Sequence, residues 1–238
     1  MTINPQGIKG NWSLILDEKF AGTTLNSKIW STGYSGSGIN LPMNPIIELQ
    51  AYDPAQVAVN DGLTLTVINK PVNVHGTVYQ YRSGMVTTAN KFTFVPTATS
   101  PIAVEAKVLV GGEGSVIENW PAFFCGSSNW PDSGEIDVFE GMNGVAAWHF
   151  IWGDSGVKQS TGQNVTGDYV GWHTFGAYWD LGRVNYHYDG VIVGSVTANI
   201  TDIPMYLTCD LAVSTVLGGP LTIPSSMQVA YVRVWIGS

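Results

Sequence analysis

Glu135, Asp137 and Glu140 place three carboxylates within six residues of the stretch WPDSGEIDVFEG, in a chain otherwise poor in charge. Carboxylates held this close suit acid–base or nucleophilic chemistry, because each one's field moves the pKa of the next and pushes their roles apart. Their spacing fits no regular element. On a strand, Glu135 and Asp137 share a face while Glu140 points the opposite way with Ile136 and Val138. On a helix the second and third acids fall roughly 200° and 140° from the first. A solvated acidic edge is the plain alternative, but Ile136, Val138 and Phe139 imply a buried strand, where clustered like charge is costly unless it does work. One β-bulge between Asp137 and Glu140 returns all three acids to one face. Val138 or Phe139 is then the extra residue, and Ile136 is buried behind the acids.

With the bulge, Glu135 and Glu140 stand about 13 Å apart between Cα atoms at ~3.3 Å per residue. Side chains leaning together leave about 5 Å, near the ~5 to 5.5 Å of a retaining glycosidase pair, one acid serving as nucleophile and the other as acid/base. Asp137 between them shares a proton or hydrogen bond with a neighbour and keeps the three from ionising together. At least one Glu is expected to titrate high, with like charge as a main cause. Trp120, Trp130, Trp148 and Trp152 surround the motif in sequence. Core filling is the ordinary role of a Trp, but sugar rings stack on indoles, and at least two of the four are expected in a cleft.

Other chemistries lack their anchors. There is no Cys-x-x-Cys, His-Glu-x-x-His, Gly-x-Ser-x-Gly or phosphate-binding glycine loop. His75, His149, His173 and His187 are scattered, and a lone His in a strand-rich segment is usually structural. Cys125 and Cys209, 84 positions apart, could form one disulfide, but such a pair is more often two ordinary buried thiols, and they do not settle the redox compartment. A net charge of -8 with ten Lys and Arg argues against nucleic acid and against a strongly anionic substrate. No apolar run approaches the ~20 residues of a membrane span, and MTINPQGIKG lacks the apolar core of a signal peptide.

The elements that must position the acids are strands. Twenty-eight Gly, 12 Pro and 9 Trp against 12% charged residues suit a turn-rich β protein. LTLTVI alternates after Asp61-Gly62, RVNYHYDGVIVGSVT reads as a hairpin turning at Asp189-Gly190, and MQVAYVRVWI closes a sheet at the C-terminus. The segment from Gly33 to Pro45 is the best candidate for a long loop. The expected architecture is all-β: a two-sheet β-sandwich of jelly-roll type, one domain over residues 1–238.

WPAFF at 120–124 followed by NWPDSGEIDVFEG resembles glycoside hydrolase family 16, in particular its laminarinase-like branch, whose signature is Glu-(Ile/Leu)-Asp-x-x-Glu on a bulged strand. The likeness extends through WSLILDEKFAGTTLNSKIW, ELQAYDPAQVAVNDGLTLTV, GWHTFGAYWDLGRVNYHYDGVIVGSV and SSMQVAYVRVW, nearly the whole chain. It implies a concanavalin A-like jelly roll with a substrate groove on its concave face. It also implies retaining endo-hydrolysis of a β-glucan, with Glu135 as nucleophile, Glu140 as general acid/base and Asp137 as their modulator. Trp120, Trp130, His149 and Trp152 are the expected substrate-binding residues. Ala230 stands where the family commonly has an Asp that helps hold a structural calcium, so no metal or cofactor is expected although Glu18 is present. Ile47 for Asn, Lys107 for Arg and Phe124 for Trp are further departures.

A β-1,3-glucan is the leading substrate, its neutral chain suiting an acidic protein. A galactan or mixed-linkage glucan hydrolase, or a transglycosylase, on the same site is the alternative. A carbohydrate-binding sandwich without activity is the rival from another class, and three intact acids argue against it. The chain is expected to act as an extracellular monomer, with a polysaccharide as its partner and neither nucleic acid nor membrane.

Overall fold

The computed structural model describes residues 3–34 and 38–238, so part of the loop expected between Gly33 and Pro45 lies outside the described residues. Strands form where apolar and short polar residues alternate. In Leu63–Val74, Leu63, Leu65 and Val67 are fully buried, and the intervening threonines face away. The Asp189-Gly190 pair takes the positive φ values, 48° and 78°, that a tight hairpin demands, and joins Arg183–Tyr188 to Val191–Val196. Among the described residues the one helical element is the 3₁₀ turn Pro54–Gln56, capped by the Asp53 side chain.

The strands build a jelly-roll β-sandwich. Among the described residues the two main sheets have ten and six strands, and Gly112–Glu113 pairs with Val116–Ile117 in a separate two-stranded ribbon. The six-stranded sheet runs, edge to edge, Val157–Asn164, Val145–Asp154, Glu135–Met142, Trp120–Gly126, Tyr206–Ala212 and Met85–Thr87, every neighbour antiparallel. Its inner face packs on the larger sheet, where Phe139 stacks on Phe175 at 4.0 Å and Trp148 on Tyr186 at 4.5 Å between ring centroids. Cys125 and Cys209 are unpaired thiols in this core. Two hydroxyls of the larger sheet, those of Tyr186 and Tyr188, donate to the carbonyls of His149 and Ala147 and tie the Val145–Asp154 strand down.

The last strand, Ser225–Gly237, pairs with Leu63–Val74 through Val229 and with Trp12–Glu18 from Val232 onward. Against Ile102–Val110 its register slips between Val229 and Tyr231, leaving Ala230 unpaired. Glu18, the acid retained near this region, accepts the Phe20 N–H at 2.6 Å with one oxygen and the Trp30 indole N–H at 3.2 Å with the other. A methyl group at 230 supplies neither charge nor an oxygen ligand to a calcium site.

Candidate active site

The strand Glu135–Met142 is bulged between Asp137 and Glu140. Asp137 faces His149 and Glu140 faces Ala147 on one neighbour, so three steps on this strand answer two on the other. On the other side Phe124 faces Asp137 and Phe123 faces Phe139, which leaves Val138 as the extra residue. Val138 and Phe139 both turn inward and are fully buried, as is Ile136 behind the acids. Glu135, Asp137 and Glu140 consequently share the outward face and line one cleft of about 610 Å³. The turn before them is tied by Ser127, whose hydroxyl donates to the Gly134 carbonyl at 2.8 Å and meets the Ser133 hydroxyl at 2.7 Å. Gly134 at φ 83° makes that turn possible and launches Glu135.

Each acid has a distinct partner. Glu135 and Asp137 hydrogen-bond each other, an interaction that pulls the Glu135 pKa down and pushes that of Asp137 up. The two carboxyls titrate as a coupled pair that shares a proton. Burial is the largest influence on Glu135, followed by the charge of Glu140, and together they raise it to about 7. Burial, then Glu135 and Glu140, hold Asp137 well above the carboxylate range. Like charge is thus the second cause, behind loss of solvent. Glu140 takes the Trp120 indole N–H on Oε1 at 3.0 Å and meets His149 Nδ1 with Oε2 at 2.6 Å.

His149 reaches Glu140 because its cross-strand neighbour is Gly162. A Cβ at 162 would stand 1.9 Å from His149 Cδ2 and 2.5 Å from the Trp148 carbonyl, so the imidazole occupies the space a side chain would need. Asp137, Glu140 and His149 offer donor atoms within 4.8 Å of one another. The Glu140–His149 hydrogen bond and the Asp137–Glu135 hydrogen bond already engage all three.

Trp120, Trp130 and His149 line the cleft with the acids. Trp130 is 49% exposed, acts to lower the Glu135 pKa and carries Lys158 Nζ 5.5 Å over its ring. Trp152 is not brought to the cleft. It shares the parity of Trp148 and Phe150, stacks on Phe150 at 5.9 Å and packs against the core. His149 and Ile151, one residue out of phase, point the other way into the cleft.

The cleft also takes Tyr34, Glu48, Lys158, Tyr206 and Asp210, which the sequence reading did not single out. Asp210 had a legible signal: YLTCDLAV alternates, and its polar residues fall opposite to the core-facing Leu207, Cys209 and Leu211. Tyr34 and Glu48 come from the loop region and a short strand's approach, where no periodicity marks direction.

No family model matches the chain. It is similar to glucan endo-1,3-beta-glucosidase A1 of Niallia circulans, 29% identical over 94% of this chain and 38% of the relative. It is also similar to the endo-1,3-1,4-beta-glycanase ExsH of Rhizobium meliloti, 27% identical over 96% of this chain and 48% of the relative. The chain thus spans less than half the length of these two relatives. Among solved structures, the endo-beta-1,3-glucanase of Pyrococcus furiosus superposes with a TM-score of 0.76 over 95% of both chains at 23% identity, which shows a shared fold.

Proposed function

We propose that this chain is the catalytic module of a retaining endo-β-1,3-glucanase of glycoside hydrolase family 16. The observation that carries the reading is the bulge at Val138, which sets Glu135, Asp137 and Glu140 on one cleft floor and leaves the hydrophobic residues between them in the core.

Glu135, ionised while Asp137 keeps the shared proton, attacks the anomeric carbon and forms a glycosyl–enzyme ester as the glycosidic bond breaks. Glu140, oriented by the Trp120 indole and His149, gives its proton to the departing oxygen. It then takes one from the water that attacks the ester, and the ester opens to return Glu135 as a carboxylate. Trp130, exposed beside Glu135, offers an indole face to a sugar ring. Lys158 is the one Lys or Arg among the cleft-lining residues, so a neutral glycan meets no charge mismatch there. The names and coverage of the relatives support a β-1,3-linked backbone, and the Rhizobium relative favours mixed-linkage glucan as the second reading. A polymer of this kind is met outside the cell, which supports an extracellular role for the module.

The test is incubation with laminarin, mixed-linkage β-glucan, xyloglucan and agarose, reading new reducing ends, product size and the anomer released first. The expected result is short laminarin oligosaccharides in the β configuration, a 10³-fold or greater loss in Glu140→Ala, and partial rescue of that variant by azide. First release of the α-anomer would overturn retention. Binding without any cleavage would leave a carbohydrate-binding sandwich.

A further inference from the structure

The larger sheet turns its outer face away from the cleft, and the two ends of that face are built differently. One end is covered by the first residues of the chain. There the Gln6 N–H donates to Glu105 at 2.6 Å, the Trp235 indole donates to the Ile3 carbonyl at 2.8 Å, and Ile8 packs with Trp12, Ala103 and Trp235. The other end is open. Trp172 of Gly171–Asp180, Leu109 of Ile102–Val110, Gln228 of Ser225–Gly237, Thr64 of Leu63–Val74 and Ala58 of Val57–Val59 are successive cross-strand partners, one row over five strands. Their neighbours along the chain, among them Val108, Val229 and Leu63, are fully buried in the core, so the row faces outward. None of its five residues is buried.

Trp172 is 42% exposed and belongs to no core cluster. The indoles of Trp12, Trp30, Trp120, Trp179 and Trp235 each donate a hydrogen bond, whereas that of Trp172 has neither a hydrogen-bond nor a ring partner among the described residues. The polar side chains of the row are equally uncommitted. Gln228 and Thr64, and Ser226 and Thr66 in the adjoining row, make no side-chain hydrogen bond among the described residues. Glu118 adds a carboxylate without an ion pair. A Cβ at Gly111 would stand 3.0 Å from Glu118 Oε2, and Gly111 is the diagonal neighbour of Trp172, roughly 7–8 Å away between Cα atoms.

These groups define what the surface takes. Lys107, two residues from Leu109, is balanced by Glu118, so nucleic acid or an anionic membrane finds no cluster of cations here. Trp172 and Leu109 are too little apolar surface for a stable protein interface. A sugar matches the set: its C–H face lies on an indole, and its hydroxyls both donate and accept, as an amide, a threonine hydroxyl and a carboxylate require.

We propose that this row is a secondary, non-catalytic binding surface on which Trp172 stacks a sugar ring while Gln228, Thr64 and Glu118 hydrogen-bond the same neutral glycan chain, holding polymer to the module at a distance from the cleft. Both sheets, stacked about 10 Å apart, separate the row from the acids, so an oligosaccharide short enough to fill the cleft does not span to it. The inference goes beyond the glycanase reading, which supplies the class of glycan.

The probes are insoluble β-1,3-glucan particles and a soluble β-1,3-glucan hexasaccharide. Adsorption to the particles is measured in a Glu135→Gln background, so that they are not consumed, and hydrolysis of both probes is measured with Glu135 intact. Trp172→Ala is expected to weaken adsorption at least fivefold and to slow hydrolysis of the particles at least threefold, with kcat/KM on the hexasaccharide within twofold of the unmutated protein. Trp172→Tyr, which keeps a ring, recovers most of the adsorption. Adsorption of Trp172→Ala equal to that of its parent overturns the surface, as do equal losses on particles and hexasaccharide, which place the damage in the cleft or the fold. If Trp172→Ala does not fold, the double variant Glu118→Ala, Gln228→Ala decides by the same readouts. Failure of the Glu135→Gln parent to adsorb also overturns the surface. Adsorption that depends on Trp172 in a protein that cleaves neither probe refutes the glycanase reading alone and leaves the surface standing.

Discussion

Of the strands in this sandwich whose register slips, those at Val138 and Ala230 each carry one residue too many, and these two extra residues serve different ends. At Val138 the slip falls between carboxylates and gathers them on the open face of the six-stranded sheet. At Ala230 it falls among Val229, Tyr231 and Val232, where the last strand passes from one neighbour to another. One bulge makes a site and the other makes a change of partner. The same backbone device is therefore neutral with respect to chemistry, and the side chains it brings to one face decide what it does.

The sharpest way to break this contrast is to remove charge from one bulge and alter the other. Glu135→Gln should lower kcat/KM on laminarin by 10³-fold or more, on the order of 4 kcal/mol of transition-state stabilisation, with the circular dichroism spectrum unchanged. Ala230→Ser should leave kcat/KM within twofold. Comparable losses in both would mean that the contrast lies in packing and not in the acids.

Gly162→Ala tests how the acid bulge is supported from its neighbour strand. Val157–Asn164 is exposed along its whole length, but a Cβ at 162 would stand 2.5 Å from the Trp148 carbonyl, so this edge strand must also shift outward, and a melting curve of the variant measures that cost separately. The added methyl group must displace His149 from Glu140. A tenfold to hundredfold loss on polysaccharide is expected, with a much smaller one on a glycoside whose activated leaving group needs no proton. Equal losses on both substrates would remove His149 from any part in acid catalysis.

Much of this was legible in the sequence, for reasons that can be located. The bulge follows from parity: Ile136, Val138 and Phe139 cannot all be buried while Glu135, Asp137 and Glu140 share a face unless one residue is extra. Strand pairs such as Arg183–Tyr188 and Val191–Val196 announce themselves through Asp189-Gly190. Trp152 could not be placed by nearness to the motif, because a strand sends neighbours to opposite faces. Counting from His149 would have put it with Trp148 in the core. Asp210 and Glu48 lie far from the motif in sequence, and only the pairing of Tyr206–Ala212 with Trp120–Gly126 brings Asp210 beside Glu140.

Charge also separates the two bulges in their response to pH. In the folded chain Glu135 is raised to about 7 and Asp137 is raised well above its ordinary range, both by burial first and like charge second, against ~4 for unfolded carboxylates. A raised folded pKa contributes stability that is fully present below the unfolded value and is lost as pH rises through the folded one. Glu135→Gln should therefore match the parent's melting temperature near pH 4 and exceed it by pH 8. The acid limb of kcat/KM should fall near pH 7 as Glu135 takes up its proton. A variant less stable than the parent at pH 8 would show that the ionised pair is stabilising.

The smallest effect is expected at Ala230. A hard cation such as calcium needs several oxygen ligands with net negative charge. The methyl group at 230 supplies neither, and Glu18 already accepts from Phe20 N–H and the Trp30 indole. Melting curves in chelator and in millimolar calcium should coincide within about a degree. Ala230→Asp alone should not create a dependence on calcium, because one added carboxylate beside Glu18 does not supply the roughly six to eight oxygens the ion takes. A rise of many degrees with calcium in the unmutated protein would show that other oxygens complete a site here, and the second bulge would then have a binding role like the first.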